Sequence, residues 1–441
     1  CGAAAQPGNP RGDERVLWRV RIDRYAFVQF IAVAPEGTIY TAGGDATYAV
    51  RPDGAVLWTT PEAFGGYPVS LGADGTIYTA LGVADDRYAL VVALNPDGST
   101  RWKFKSPNDA RIDLVGPNVG PDGNIYALQG DVDEGGLGAF ALDPQGNLLW
   151  SNPGDPAIDP LRAFTSVSDI VFGVDRIHAG LIGIGSGAPS IYTFTLDGRQ
   201  VWTTFELPVH TTSFPVVDPA QRVVCSWGQT GMQAISADGE VEWVTLHPNH
   251  AQLVRRPAID AAGVIYSGDF IGVDLWALDP DGSVRWVGPE ESPNTLGALG
   301  ISPDGEVLVA QGHGGMDRLA WVRGYSPEDG ALLWQVDFPH ENGLPQVVST
   351  SDPAFSADGC VAYVTTHFAG SGNDYGYLYA IRAQECACAA DFNGDGEVNT
   401  LDVLAFLNAW NAQDDRADFN GDGTIDTRDV LEFLNSWNSG C

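Results

Sequence analysis

Pro52-Asp53-Gly54-Ala55-Val56-Leu57-Trp58 is the stretch from which the fold is read. A turn ends in glycine, a short apolar run follows, and tryptophan stands four residues after the glycine. The arrangement returns at Pro96-Asp97-Gly98 with Trp102 and at Pro144-Gln145-Gly146 with Trp150. It recurs at Asp197-Gly198 with Trp202, Asp238-Gly239 with Trp243, Asp281-Gly282 with Trp286, and Asp329-Gly330 with Trp334. Counting Trp18, which has no glycine before it, successive tryptophans lie 40 to 52 residues apart. A period of that length corresponds to one unit of about four short strands.

A second turn-and-strand element alternates with the first. Its copies are Gly37-Thr38-Ile39-Tyr40, Gly75-Thr76-Ile77-Tyr78, Gly123-Asn124-Ile125-Tyr126, Gly263-Val264-Ile265-Tyr266, Gly305-Glu306-Val307-Leu308, and Gly359 leading to Val361 and Tyr363. Arg176-Ile177-His178 and Arg222-Val223-Val224 are degenerate copies, which brings the total to eight. A third strand lies between the two, with Ala49, Ala93, Ala141, Ala234 and Ala277 five residues before the turn glycine. Asp-Gly turns supply the positive φ of tight hairpins, and period-2 runs of Val, Ile, Tyr and Thr make half-buried strands. Such units bury both faces only by stacking, and the small alanines are expected to make room for a tryptophan of the neighbouring unit. Trp18 has its strand but no preceding turn, whereas Leu378-Tyr379-Ala380-Ile381 has the third strand but no following tryptophan. The two ends complement each other. The expectation is a mainly β chain, an eight-bladed β-propeller closed by N- and C-terminal strands, which leaves no open sheet edge at the join.

This pattern of small residue, turn glycine and tryptophan resembles the PQQ-type repeat of quinoprotein dehydrogenases and of BamB-like outer-membrane assembly lipoproteins, over roughly residues 15–385. The resemblance implies the fold; propellers host many activities. Quinoprotein dehydrogenases are expected to carry a vicinal cysteine pair against the quinone, with calcium beside it. Here Cys386 and Cys388 are separated by Ala387. No catalytic residue and no cofactor-binding residue is therefore assigned. His247-Pro248-Asn249-His250 has two imidazoles at a metal-sharing spacing, but the intervening proline and the lack of a helix read as surface-loop histidines.

The acidic excess is large, 57 Asp and Glu against 23 Lys and Arg, for a formal charge of −34. That field repels nucleic acid and anionic membrane surfaces and attracts cations. No run of 18 apolar residues is present, so no transmembrane segment is expected. Cys1 reads either as a lipid-bearing residue or as a disulfide partner. Six cysteines, three of them (Cys386, Cys388, Cys441) bracketing the C-terminal segment, favour an oxidising compartment without assigning pairs.

The C-terminal segment carries a duplicated ligand pattern. Asp391-Phe392-Asn393-Gly394-Asp395-Gly396-Glu397-Val398-Asn399-Thr400-Leu401-Asp402 is followed 27 residues later by Asp418-Phe419-Asn420-Gly421-Asp422-Gly423-Thr424-Ile425-Asp426-Thr427-Arg428-Asp429. Oxygen side chains stand at loop positions 1, 3, 5, 9 and 12, glycine at 6, and the carbonyls of Glu397 and Thr424 serve position 7. Two calcium ions are the expected occupants, because so many carboxylates in one loop repel each other without a cation. Helices are expected over Thr400–Asn411 and Thr427–Asn438. Leu404, Leu407 and Trp410, matched by Leu431, Leu434 and Trp437, are read as the mutual core of the module.

Asp at position 12 and a single helix after each loop resemble the dockerin module, in a variant beginning and ending in cysteine. The resemblance implies a Cys388–Cys441 staple. It also implies binding of a cohesin-type receptor through Thr400, Leu401, Thr427, Arg428 and the helices after them. Asn408 and Asn435 stand where that family has basic residues. The expected organisation is a linker (1–14), the propeller (15–385) and the calcium module (386–441). The expected function is non-enzymatic: an extracellular or cell-surface bacterial scaffold, its propeller displayed and attached through the tail to a protein partner. A head-to-tail filament of neighbouring copies and a quinone-dependent dehydrogenase are the alternatives.

Overall fold

The computed structural model describes residues 6–7, 14–23, 30–43, 46–60, 68–82, 89–107, 112–131, 137–152, 164–183, 191–203, 215–227, 231–248, 256–268, 275–288, 294–314, 320–338, 346–348, 352–368, 375–384, 390–395, 398–420 and 423–439. The chain divides into two compact units, Cys1–Ala383 and Gln384–Cys441. The first is an eight-bladed β-propeller. Seven antiparallel sheets have four strands each, in chain order, and the eighth is assembled from both ends of the unit.

The turns build the blades as their residues demand. In the first blade (Ile31–Val33, Ile39–Gly43, Ala46–Val50, Val56–Thr60), the Gly54 N–H donates to Arg51 O and the Arg51 N–H to Ala55 O. Asp53 Oδ1 accepts the Ala55 N–H at 3.0 Å, and Gly54 sits at φ 84°. An aspartate that bonds two residues ahead, followed by a residue free to enter the left-handed region, specifies this turn. Asp281 and Asp329 take the same bond, to Ser283 and Ala331. They are turn residues, as expected. Gln221 takes the glycine's place in one degenerate copy, at φ 65°, and its Oε1 accepts the Val174 N–H of the preceding blade at 2.7 Å.

Blade contacts explain the tryptophan. Its ring lies against the turn glycine of the following blade. A Cβ on Gly98 would stand 2.7 Å from Trp58, and one on Gly282 2.5 Å from Trp243. Each indole N–H also donates to a carbonyl of the next blade. The acceptors are Pro52, Pro96, Pro144, Leu196, Ala237, Pro280, Pro327 and Ala383, for Trp18, Trp58, Trp102, Trp150, Trp202, Trp243, Trp286 and Trp334 in turn. The distances run from 2.6 to 3.2 Å. The series passes through all eight interfaces and back to its start. The alanines were misplaced by sequence: Ala49 and Trp58 are cross-strand neighbours within one blade, as are Ala93 and Trp102. They give the indole a flat bed in its own sheet while its far side meets the next blade.

Closure follows the expected split. Val16–Asp23 pairs antiparallel with Tyr375–Arg382, from Val16 opposite Ile381 to Asp23 opposite Tyr375, with Trp18 opposite Ala380. Gln6–Pro7 adds a short strand outside Val16–Asp23. Core clusters straddle neighbouring blades: Tyr78, Val91 and Ala93 of the second pack with Ile125, Phe140 and Leu142 of the third. In six blades a ring on the second strand lies 5.8 to 6.2 Å from the blade's tryptophan, and in the fourth that ring is His178 against Trp202. Among the described residues no helix is long and apolar enough to cross a membrane.

Candidate metal centre

The second unit is built from the duplicated segment. Helix α1 spans Thr400–Asn411 and helix α2 Thr427–Ser439. Each begins where position 9 of its loop caps it: Asn399 Oδ1 accepts the Leu401 N–H at 2.8 Å, and Asp426 Oδ1 the Arg428 N–H at 2.7 Å. Position 12 braces the loop from within. The two oxygens of Asp402 accept the N–H groups of Asn393 (3.1 Å) and Asn399 (2.8 Å). Asp429 repeats this with Asn420 (3.1 Å) and Asp426 (2.7 Å). Both carboxylates are fully buried. The Asn399 N–H holds the Asp402 carboxyl below its ordinary range despite desolvation, with Asn393 helping, and the Asp426 and Asn420 N–H groups do the same for Asp429.

Asp391, Asn393 and Asp395 curl around the start of the first loop, where the Asp395 N–H donates to Asp391 Oδ1 (3.0 Å) and Asn393 Oδ1 (2.8 Å). In the second loop the Gly423 N–H donates to Asp418 Oδ2 at 2.9 Å, and Asp426 stands at the helix cap. Thr424 is exposed. Glu397 and Asp422 lie outside the described residues, as do Cys1, Cys386, Cys388 and Cys441. Among the described residues the loop acids do not gather into a cluster of three or more. The donor set nonetheless fits a hard cation: oxygens alternate with backbone amides on a tight loop. Asp418 Oδ1, at loop position 1, is buried without a hydrogen-bond partner. A buried carboxylate oxygen with no donor is costly unless a cation takes it.

The core of this unit is not the leucine stripe expected from sequence. Phe406 and Phe433 stack with centroids 4.2 Å apart and planes 6° from parallel. Phe392 and Phe419, from loop position 2, meet them edge-on at 5.3 to 6.0 Å. Leu404 and Leu431 are instead 57% and 62% exposed, and Leu401, Leu407 and Leu434 also face solvent. The face of α1 that turns inward is Asp402, Phe406 and Ala409. An aspartate and an alanine on the buried side concealed it from a search for apolar periodicity. The phenylalanines at loop position 2 were the missed signal, since they repeat with the same 27-residue spacing as the ligands.

In the propeller the structure also corrects the reading of the histidine pair: His247 is buried, edge-on to Trp276 at 4.8 Å, and not on a surface loop. His250 lies outside the described residues.

Fold and repeat together define a PQQ-type propeller joined to a duplicated dockerin-like module. The family model described as outer membrane protein assembly factor BamB matches residues 45–181 and 134–312, together more than half of the chain, and the chain belongs to that family. The model described as dockerin type I domain matches residues 389–436. Similar solved structures include BamB of Moraxella catarrhalis, 11% identical, with 82% of this chain and 99% of that one covered at a TM-score of 0.56. Quinohemoprotein alcohol dehydrogenase of Comamonas testosteroni is 13% identical over 84% and 77% of the two chains, with a TM-score of 0.59. Saccharomyces cerevisiae Sqt1 is 13% identical over 83% and 98%, with a TM-score of 0.56. At these identities the likeness is one of fold. No curated protein sequence matched the chain. The dockerin match supports calcium as the ion of the second unit.

Proposed function

We propose that this is a non-enzymatic, extracellular or cell-surface protein of a bacterial envelope. The propeller is the displayed part, and the C-terminal module attaches it to a protein receptor of the cohesin type when two calcium ions order its loops. Asp391, Asn393, Asp395, Asn399 and Asp402 hold the first ion with the Glu397 carbonyl. Asp418, Asn420, Asp422, Asp426 and Asp429 hold the second with that of Thr424. The observation that carries this reading is the outward leucine face. Leu404 and Leu407 on α1 and their repeats Leu431 and Leu434 on α2 are held in water by a module whose core is filled without them. A 13-residue helix that exposes such residues presents a docking surface. Calcium fixes the loops that launch both helices, so it fixes the spacing of that face.

The test is retention on native cells. A chelator wash releases the wild-type protein into the medium, and Leu404→Asp with Leu431→Asp abolishes retention while calcium binding persists. Retention that survives both the chelator and the double substitution would contradict the proposal.

A further inference from the structure

The two halves of the C-terminal unit are tied by a pair of reciprocal bonds. The Trp410 indole N–H, on α1, donates to the carbonyl of Asp426 at 2.8 Å. The Trp437 indole N–H, on α2, donates to the carbonyl of Asn399 at 2.9 Å. Asn399 and Asp426 are the position-9 residues of the two loops, and each also caps its own helix. Each helix therefore holds the exit of the other helix's loop. Both indoles are half-buried beside the phenylalanine stack.

From this geometry we infer that Trp410 and Trp437 couple the two ion sites, so that filling one loop raises the affinity of the other. The inference rests on the calcium reading given above. An ion in loop 1 orders Asn399 and the start of α1, which sets the position of Trp410 at the far end of the same helix. Trp410 then holds the Asp426 carbonyl, and loop 2 meets its ion with its exit already fixed. The second path runs the other way: an ion in loop 2 orders α2, whose Trp437 holds Asn399. A site that is partly ordered beforehand loses less conformational entropy on binding, and that difference appears as positive coupling. The phenylalanine stack joins the helices to each other. It also touches the loops at position 2, through Phe392 against Phe433 and Phe419 against Phe406; the indole bonds act directly on a ligand residue of the opposite loop, so Trp410 and Trp437 are positioning residues.

The test is a calorimetric titration of calcium into chelator-stripped, full-length protein, comparing wild type with Trp410→Phe and Trp437→Phe. Phenylalanine keeps a ring in place and removes the N–H. Wild type takes up two ions with a Hill slope above 1. Each variant binds its second ion about fivefold more weakly, as expected for one lost hydrogen bond, and its slope falls toward 1. Wild-type slopes in both variants overturn the inference. Asp418→Ala gives a second arm that leaves both indoles intact. With loop 2 disabled, loop 1 binds its ion at least fivefold more weakly than in wild type; unchanged affinity overturns the coupling. Tight but independent binding of two ions by wild type defeats the coupling alone, whereas no calcium binding by wild type defeats the underlying calcium reading as well.

Discussion

Both units repeat a short motif and both use tryptophan N–H groups to join the copies, yet the two arrangements behave differently. In the propeller each indole donates forward to the next blade, and eight such bonds accompany cores that straddle every interface. In the C-terminal unit two indoles donate to each other's loops around a core of four phenylalanines. A large ring can hold itself together by apolar burial, whereas a unit of under 60 residues has little surface to bury and needs another source of order. The difference therefore separates a body held by its own burial from one for which we propose bound calcium as the further source of order.

Substitutions should respect that separation. Phe406→Ala opens the stack at its centre. A loss of about 3–5 kcal/mol is expected, more than so small a unit can spare. Amide exchange should show the C-terminal helices unprotected even in saturating calcium, with the propeller's protection intact. Retained helix protection would show that the loops alone organise the unit.

Acid should act on the propeller through His178. Burial pushes its imidazole down to about 4, with Arg176 adding to the effect and Asp175 opposing it. Its Nδ1 lies 2.8 Å from the Thr193 hydroxyl. The folded chain binds this proton less readily than the unfolded one, so stability is complete above about pH 6.5 and falls as pH drops toward 4, by roughly 3 kcal/mol. His178→Tyr restores the ring found in five other blades and should flatten the propeller's denaturant midpoint over that range. An equally steep acid loss in the variant would place the sensitive group elsewhere.

Gly282→Ala should cost about 2 kcal/mol, from the left-handed backbone and from a Cβ forced against Trp243. The propeller midpoint in urea should fall while the calcium affinity of the C-terminal unit stays the same.

Much of this was legible in the residues, for a physical reason. A turn that needs positive φ admits few residues, so Gly54 and its repeats mark seven of the eight blades, and the tryptophan four residues later is where the next blade docks. The split of the last blade could be read from Trp18 and Leu378–Ile381, because a lone strand without its turn has to find a partner. What escaped was the side on which things pack. Ala49 was assigned to the wrong neighbour because a register shift beside it sets the cross-strand pairing, and sequence spacing does not report such a shift. The leucines were assigned to a core because the face that turns inward carries Asp402 and Ala409, one buried for its hydrogen bonds and the other for its size. His247 looked like a loop residue beside Pro248, yet it stands against Trp276 of the next blade, a contact distant in sequence.

The most direct test is scanning calorimetry of the full-length protein in calcium and in chelator. Two transitions are predicted in calcium; chelation should abolish the C-terminal one, or lower it by well over 10 °C, a shift of the order that a few kcal/mol of ion binding gives a small domain. The propeller transition should stay where it was. A C-terminal transition unmoved by chelation would contradict the account at its centre.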